Sequence, residues 1–273
     1  QSWEFPVGQE YQVPDHTADR SRFEGAVPPD HAGVVRAPIT NVTQIWQEKV
    51  TVSYTAESVG QQLSMASGVA IGGQSDPVNS ELDFQTGVKL ELIARNANWT
   101  FLNQAYRKPA DNQETRRTRG LLQAITTNVV DADGASVDLD MFDQAFMDLI
   151  AAGGTPDGDN VVALANTSQL VLLNRYFRDD KMKVDEDRFI GGVRVRSIYT
   201  TFGLINFVLE RDMPQDEIVI VDLDSIGVVA TPTPSKGVLF REELAKVGSS
   251  FDYQIYGELG LDHGPEWMHA KIE

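Results

Sequence analysis

A chain of 273 residues is long enough to bury one large core or two smaller ones, and a hydrophobic content of 41% is ordinary for a globular protein. The formal net charge of −17 argues against direct wrapping of nucleic acid, because phosphate binding depends on clustered Lys and Arg, although a container wall gains from not adhering to its cargo. The absence of cysteine excludes disulfides, thiolate metal sites and cysteine nucleophiles. The sequence has no run of about eighteen apolar residues that would span a membrane, and its first residues lack the basic and apolar regions of a secretory leader.

Residues 1–40 are predicted to form an extended N-terminal arm rather than a folded domain. Five prolines interrupt any helix here, and glycines at positions 8, 25 and 33 loosen the backbone. Aromatic side chains in the arm are costly to leave in water, which favours docking onto a neighbouring surface over a tail without contacts. These residues are Trp3, Phe5, Tyr11 and Phe23. The missing initiator methionine suggests a trimmed N-terminus, although a chain boundary would look the same.

Residues 41–73 are predicted to form a long two-stranded excursion. Alternation of apolar and polar residues over 41–55 is typical of a β-strand, and a weaker strand pattern over 61–71 ends at Gly72 and Gly73. A two-stranded ribbon is marginally stable alone in water and usually needs another surface. The excursion is therefore expected to lie on such a surface.

The longest periodic segment, residues 76–106, predicts a helix on the order of 40 Å long at about 1.5 Å per residue. Asp76 followed by Pro77 is an N-cap signal, and no proline interrupts the segment before Pro109. Apolar residues form two stripes, so the helix is expected to be covered twice, by its own domain and by something else. One stripe holds Leu82, Val88, Leu92, Trp99, Leu102 and Tyr106, and the other holds Phe84, Leu90, Ala94, Ala97, Phe101 and Ala105. A long core helix of an unknown α+β domain is the competing interpretation.

Residues 115–120 form a dense basic cluster that contains Arg116, Arg117 and Arg119. Such a cluster could contact nucleic acid or pair with acidic residues of a neighbour. In a chain this acidic the second interpretation is favoured, because carboxylates that can pair with Arg are abundant.

The second half of the chain predicts a small α/β layer followed by a series of strands. The acidic residues 131–138 lack the third early ligand and the final Glu of a calcium loop, so they are interpreted as a turn before a helix. Helix Leu139–Ala152 follows and stops at Gly153. Its buried face is predicted to be Phe142, Ala145, Phe146 and Leu149. A strand at 160–165, a helix at 167–177 and strands at 193–197, 204–210, 217–221, 226–230 and 250–261 complete the pattern.

The sequence contains no constellation of catalytic or metal-binding residues. Nucleophile-elbow, phosphate-loop and dinucleotide-loop motifs are missing. Of the four histidines, His16 and His31 lie in the arm. His263 and His269 are six positions apart, which suits neither a helix face nor a zinc spacing, so they are interpreted as loop histidines. Asp222 and Asp224 at a strand end are interpreted as turn residues rather than metal ligands. The prediction is a non-enzymatic protein without catalytic residues, cofactor or metal.

Several short stretches occur in a characteristic order along the chain. They are Asn41-Val42-Thr43-Gln44-Ile45, Val50-Thr51-Val52-Ser53, Arg116-Arg117-Thr118-Arg119-Gly120-Leu121-Leu122, Tyr199-Thr200-Thr201-Phe202-Gly203-Leu204-Ile205, Arg211-Asp212-Met213-Pro214 and Val221-Asp222. Their order and spacing resemble those of the major capsid proteins of tailed bacteriophages with the Hong Kong 97-type fold, in the branch with a compact mature chain. The resemblance covers nearly the whole chain from about residue 40.

The resemblance implies an α+β, Hong Kong 97-type fold: an N-terminal arm at 1–40, an extended β-hairpin loop at 41–75, a peripheral domain with a long spine helix at 76–137, an axial domain at 138–230 and strands returning to the peripheral domain at 231–273. It implies hexamers and pentamers of an icosahedral shell around the double-stranded DNA of a tailed phage, without sequence-specific DNA binding. The expected location is the virion, after assembly in the host cytoplasm and without a membrane. Decoration, portal and scaffolding or protease proteins would be further partners.

Contacts between subunits are expected in the arm, the loop and the basic cluster. The expected contact residues are Trp3, Phe5, Tyr11, Trp46, Lys49, Arg116, Arg117 and Arg119. An arm and a ribbon that cannot fold alone become stable when each lies on a neighbour. Some relatives crosslink through a lysine in the loop; Lys49 is the loop lysine here, but no acceptor matches and no bond is predicted.

Two alternatives remain open. A bacterial encapsulin-type nanocompartment shell would share the architecture but package an enzyme, and the nucleic acid content of particles separates it from a capsid. A secreted β-rich binding or hydrolytic module belongs to a different class, which a ligand hit without particles would favour.

Overall fold

The computed structural model of the chain describes residues 3–11, 19, 21–28, 36–58, 80–111, 113–154, 160–179, 184–190, 193–200 and 202–273. The helices in these ranges are α1 (Glu81–Asn103), α2 (Leu121–Ala124), α3 (Leu139–Ala152) and α4 (Thr167–Asp179), with a further helical stretch at 54–58. The strands are β1 (Glu4–Tyr11), β2 (Arg36–Val42), β3 (Gln44–Ser53), β4 (Val129–Val130), β5 (Val161–Ala165), β6 (Val184–Ile190), β7 (Val193–Thr200), β8 (Gly203–Leu209), β9 (Ile218–Asp222), β10 (Gly227–Ala230), β11 (Leu239–Glu243), β12 (Ser250–Asp262) and β13 (Ala270–Ile272).

Helix α1 begins later than the sequence pattern predicted. Ser80 has an extended backbone and its hydroxyl accepts a hydrogen bond from the Asp83 N–H at 3.2 Å, so Ser80 is the N-cap. The predicted start at Asp76 is wrong because Ser80, followed by an acidic first turn that suits the helix dipole, provides the cap. The helix spans 23 residues, about 35 Å, and ends before Gln104. No helix in the described part of the chain is long and apolar enough to cross a membrane.

Strand β12 is the centre of a four-stranded antiparallel sheet that packs against α1. Strand β3 lies along one edge of β12, from Gln44 opposite Leu259 to Ser53 opposite Ser250. Strands β10 and β11 share the other edge. The predicted strand over 41–55 corresponds to β3, and β12 of the same chain pairs with one of its edges. The predicted second strand of the ribbon, residues 61–71, lies outside the described residues.

A small apolar core joins this sheet to α1. Trp46 from β3 and Ile255 from β12 point toward the helix and meet Ile93 and Ala97. All four of these residues are buried. Because β-strand side chains alternate between faces, the same strand β3 leaves Ile45 exposed on the opposite side.

A seven-stranded sheet in the order β4-β13-β9-β5-β8-β7-β6 forms the second layer, with α3 packed on it. The prediction for α3 is confirmed: Asp138 accepts from the Met141 N–H at 2.9 Å, and Gly153 ends the helix with a φ of 100° that only glycine adopts easily. The predicted face is the buried one, with each of its side chains at most 1% exposed. Phe142 meets Phe207 of β8 edge to face, with ring centres 5.5 Å apart.

The N-terminal segment has support within its own chain. Strands β1 and β2 pair antiparallel, from Glu4 opposite Val42 to Tyr11 opposite Arg36. Phe5 lies against Gly260 of β12, where an added Cβ would come within 2.8 Å of the ring. The expectation that residues 1–40 need a neighbouring subunit for support is therefore wrong for these two strands. They pair with each other, and Phe5 packs against β12 of the same chain.

The sheets cross the expected domain boundaries. Strand β13, close to the C-terminus, lies between β4 and β9 in the seven-stranded sheet. Strand β10, expected in the axial domain, pairs with β12 instead. The chain therefore passes between the two layers more often than a division into consecutive segments implies.

Candidate functional site

The outward side of α1 carries a row of large apolar side chains, flanked by the exposed Glu91–Arg95 ion pair, and no element of the described ranges covers it. Four large apolar residues share this side of the helix, because they are spaced by four, four and seven positions. They are Phe84, Val88, Leu92 and Trp99, which are 50%, 44%, 37% and 50% exposed, and we call them the outer stripe. Large apolar side chains aligned in this way mark a contact surface for another molecule.

A groove of about 970 Å³ continues from the end of the outer stripe. Trp99 forms one part of its lining, with Trp3, Ile45, Arg116 and Arg117 around it. Trp and Arg are the residue types most enriched at the energetic centres of protein interfaces. The outer stripe and the groove therefore form one continuous candidate contact surface.

Arg116 is held in the groove wall by contacts within the chain. Its guanidinium lies 3.4 Å from a carboxylate oxygen of Glu258 and 5.8 Å from the centre of the Trp3 ring. The Tyr256 hydroxyl donates to the same carboxylate at 2.7 Å, and burial together with this hydrogen bond raises the pKa of Tyr256 to about 12. Arg116 thus already has a carboxylate partner in its own chain.

The other two arginines of the basic cluster have different surroundings. Arg117 is exposed, and its backbone pairs with that of Arg107 while its side chain lines the groove. Arg119 stacks on the Tyr106 ring at 4.5 Å and lines a separate cavity of about 340 Å³. Neither Arg117 nor Arg119 forms an ion pair with a carboxylate among the residues that the structure describes.

Two of the expected contact residues on β3 pack or pair internally. Trp46 is 6% exposed and meets Phe101 edge to face, with ring centres 6.4 Å apart, which corrects the expectation that its indole contacts a neighbour. Lys49 points the other way and pairs with Asp252 at 3.2 Å, with 61% of its side chain exposed. For Tyr11 the structure describes the backbone only.

Asn41 joins three segments near this surface through contacts that its place in the stretch Asn41–Ile45 does not reveal. It is fully buried, its side-chain oxygen accepts from the Arg119 N–H at 2.8 Å, and its amide donates to the Leu261 carbonyl at 2.8 Å. The partners lie 78 and 220 positions away in the sequence. A local motif cannot reveal contacts across such separations.

His263 and His269 lie outside helices and strands, as their interpretation as loop histidines predicts, but they are buried, at 1% and 0% exposed. The His269 Nε2–H donates to the His263 carbonyl at 2.7 Å, and Nδ1 accepts from the Asp222 N–H at 3.3 Å, so the neutral ring uses both nitrogens. The His263 Nδ1–H donates to the Gly264 carbonyl at 2.9 Å. Burial lowers the pKa of both imidazoles.

Glu266 is a buried carboxylate that the sequence also did not reveal. Its oxygens accept four hydrogen bonds from Thr126 and Thr127. Burial alone would raise the pKa of Glu266, but the hydrogen bonds from Thr127 and Thr126 outweigh burial and lower it. Glu266 therefore fixes the C-terminal turn to the segment that precedes β4.

The described residues contain no group of three or more His, Asp or Glu placed to hold a metal ion. Asp222 accepts from the Asp224 N–H at 3.0 Å and caps the short turn Leu223–Ser225. The interpretation of these two aspartates as turn residues is therefore confirmed.

The fold is similar to that of several solved structures. A chain of the cyanophage A-1(L) capsid has a TM-score of 0.67 at 10% identity, over 100% of this chain and 88% of that chain. A chain of the holo-SrpI encapsulin complex from Synechococcus elongatus PCC 7942 has a TM-score of 0.63 at 12% identity, over 100% and 82%. A chain from Mycobacterium phage Patience has a TM-score of 0.61 at 15% identity, over 98% and 79%. The fold is the Hong Kong 97-type fold of tailed-phage capsids.

The fold and its uncovered contact surface define a structural subunit of a shell built from many copies. A family model described as SU10 major capsid protein matches residues 2–273. The chain belongs to this family: it is a bacteriophage major capsid protein of the icosahedral capsid shell, located in the virion. No sequence among the curated proteins matches it.

Proposed function

We propose that this chain assembles into hexamers and pentamers that close a shell around the double-stranded DNA of a tailed phage. The observation that carries the proposal is the match of residues 2–273 to the SU10 major capsid protein family. The outer stripe supports it, because large exposed apolar side chains are stabilised when a second molecule covers them. A heterologous contact that repeats around a closed ring forms a hexamer or pentamer, and further contacts between the rings close the shell.

The segment after β3 is the proposed cover of a neighbour's outer stripe. Residues 58–75 contain no charged residue, in a chain where charged residues make up 23%. An uncharged segment can lie on apolar side chains without burying a charge, which would be costly. The extended-loop role proposed for residues 41–75 thus applies to the part after Ser53, whereas β3 belongs to the subunit's own sheet.

The two layers have separate proposed places in the shell. We assign the peripheral role to α1 with the β12 sheet, because this layer carries the outer stripe and the groove. We assign the axial role, near the centre of each hexamer or pentamer, to the seven-stranded sheet with α3.

The proposed role is structural and not catalytic, and the shell encloses DNA without reading its sequence. A net charge of −17 per subunit keeps the wall from binding the phosphate backbone tightly. A shell of this kind would also contact portal, decoration and scaffolding or protease proteins during assembly.

A bacterial nanocompartment shell is the second candidate. The TM-score of 0.63 to a chain of the SrpI encapsulin complex is the observation that favours it. Such a shell would enclose a protein cargo, so the two candidates differ in the content of their particles and not in the fold of the subunit.

Electron microscopy of the purified chain tests the proposal. Closed icosahedral particles are expected, and particles from infected cells should protect double-stranded DNA from nuclease. A monodisperse monomer under every assembly condition would contradict a shell function. Particles that hold a protein cargo and no DNA would favour the nanocompartment.

A further inference from the structure

We propose that Arg119 and Gln123 form a socket for a carboxylate side chain of a neighbouring copy of this chain. The socket is the cavity of about 340 Å³ beside the basic cluster, and its lining includes Tyr106, Arg119, Gln123, His263 and Glu266. The inference rests on the proposed shell function and adds the chemistry of one contact between copies.

Arg119 is held in place before any partner arrives. Its guanidinium carbon lies 4.5 Å from the centre of the Tyr106 ring, a cation–π contact that restrains the side chain. Its backbone N–H donates to the buried Asn41 side chain at 2.8 Å, and its carbonyl accepts from the same amide at 3.3 Å. Because Asn41 holds the backbone and the Tyr106 ring restrains the side chain, Arg119 loses less freedom when it binds an anion.

The charge of Arg119 is not neutralised within the described part of the chain. Arg116 and Arg107 have carboxylates at 3.4 and 3.8 Å, whereas no carboxylate of the described residues lies within ion-pair distance of Arg119. Glu266 lines the same cavity, but Thr126 and Thr127 already satisfy its oxygens with four hydrogen bonds. Arg119 therefore keeps its capacity for two parallel hydrogen bonds to a carboxylate.

The other groups of the socket complete a site for a singly charged acceptor. The Gln123 side-chain oxygen accepts from the Tyr106 N–H, which leaves its NH₂ group as a donor. His263 remains neutral because burial lowers its pKa, so it adds no positive charge. Its buried Nε2 has no hydrogen-bond partner in the described structure. Because Nδ1 carries the proton that is donated to the Gly264 carbonyl, Nε2 is an acceptor and makes no hydrogen bond to the carboxylate.

The anion proposed for this socket is a carboxylate of a neighbouring copy. The guanidinium of Arg119 presents two parallel N–H donors, which match the two oxygens of a carboxylate. Each copy carries 40 acidic residues against 23 basic ones, so carboxylates are the charged groups that a neighbour mostly presents.

The test compares Arg119→Gln with Arg211→Gln, a matched change at an arginine whose side chain is 68% exposed. Arg119→Gln is expected to leave the melting temperature of the subunit unchanged but to lower particle yield about tenfold or more, because a desolvated ion pair recurs at every interface. Arg211→Gln is expected to assemble like wild type. Arg119→Lys, which keeps the charge but loses the planar fork, should recover part of the yield.

A map of wild-type particles provides the readout that does not depend on a variant folding. It should show a neighbour's Asp or Glu oxygen within about 4 Å of the Arg119 guanidinium. Normal yield of Arg119→Gln particles, or an Arg119 that faces solvent or its own chain in the map, would overturn the socket and leave the shell function standing. Failure of the wild-type chain to form particles would instead refute the shell function.

Discussion

Helices α1 and α3 both carry rows of large apolar side chains, but their own chain covers them differently. On α3, Phe142 and Leu149 are at most 1% exposed beneath the seven-stranded sheet. On α1, Phe84 and Trp99 are each 50% exposed, although Ile93 on the other side is buried. An apolar pattern therefore predicts that a face will be covered, but not which chain covers it.

The difference gives the two helices different roles. Burial of the inner face of α3 is complete in one copy, so the side chains of that face determine whether the subunit folds. The outer stripe of α1 contributes little to the single copy, because water still contacts much of each side chain. Its hydrophobic surface is therefore available to stabilise assembly.

The largest effect on folding is expected from Phe142→Ala. Truncation of a fully buried ring leaves a cavity and loses the edge-to-face contact with Phe207, so the free energy of unfolding should fall by about 3–5 kcal/mol. Urea denaturation of the unassembled subunit measures this change. Met147 of the same helix is 47% exposed. Met147→Ala is therefore the control, and it should change the free energy of unfolding by less than about 1 kcal/mol. Equal effects of the two changes would mean that α3 is not covered as described.

A smaller effect is expected from pH. The folded-state pKa of His269 lies below its ordinary value of 6.5 because of burial, so the unfolded chain binds a proton that the folded chain does not. Stability should therefore fall as pH drops below about 6.5, by about 1.4 kcal/mol per pH unit for one such group. Glu266 affects stability at lower pH. Its pKa lies below 4.5 in the folded chain, so its contribution to the free energy of unfolding is lost only as pH falls below about 4.5.

Urea midpoints at pH 7.5 and pH 5.5 measure the histidine effect. His269→Gln, whose amide can replace the ring as donor and acceptor, should show a smaller difference between the two midpoints than wild type. His263 shares the buried site, so part of the pH dependence should remain in this variant. An equal difference between the two midpoints in wild type and in His269→Gln would show that His269 does not cause the pH dependence.

The smallest effect on the single copy is expected from Val88→Asp in the outer stripe. A change at a 44% exposed residue should alter the free energy of unfolding by only about 0.5 kcal/mol. The same change places a charge where a neighbour would bury it, so particles should fail to form. Val247→Asp, at an 83% exposed position, is the control and should assemble normally. Normal particles from Val88→Asp would remove the outer stripe from the contact surface.

Local signals in the sequence were enough to predict α3. The cap Asp138, the face that includes Phe142 and the stop at Gly153 all act within a few residues of one another. The start of α1 is harder to predict, because Asp76-Pro77 and Ser80 are both possible N-cap signals. Only the folded chain shows that Ser80 is the cap.

The sequence patterns do not predict contacts between residues that are far apart in the chain. The alternation of β3 predicted a strand but not its partner, since Ser53 pairs with Ser250 from the other end of the chain. Glu266 finds its donors at Thr126 and Thr127, about half the chain away, so the candidate site's buried polar groups carried no motif. The exposed groove, by contrast, is lined by three residues that the sequence predicts as contacts between subunits: Trp3, Arg116 and Arg117.

The exposure of Trp99 in assembled shells is the most direct test of the proposal that neighbouring copies complete α1. In the single copy Trp99 is 50% exposed. A cryo-electron microscopy map of closed particles should show its indole, with Phe84 and Val88, buried beneath a neighbouring chain. Closed particles in which the outer stripe still faces solvent would contradict the proposal.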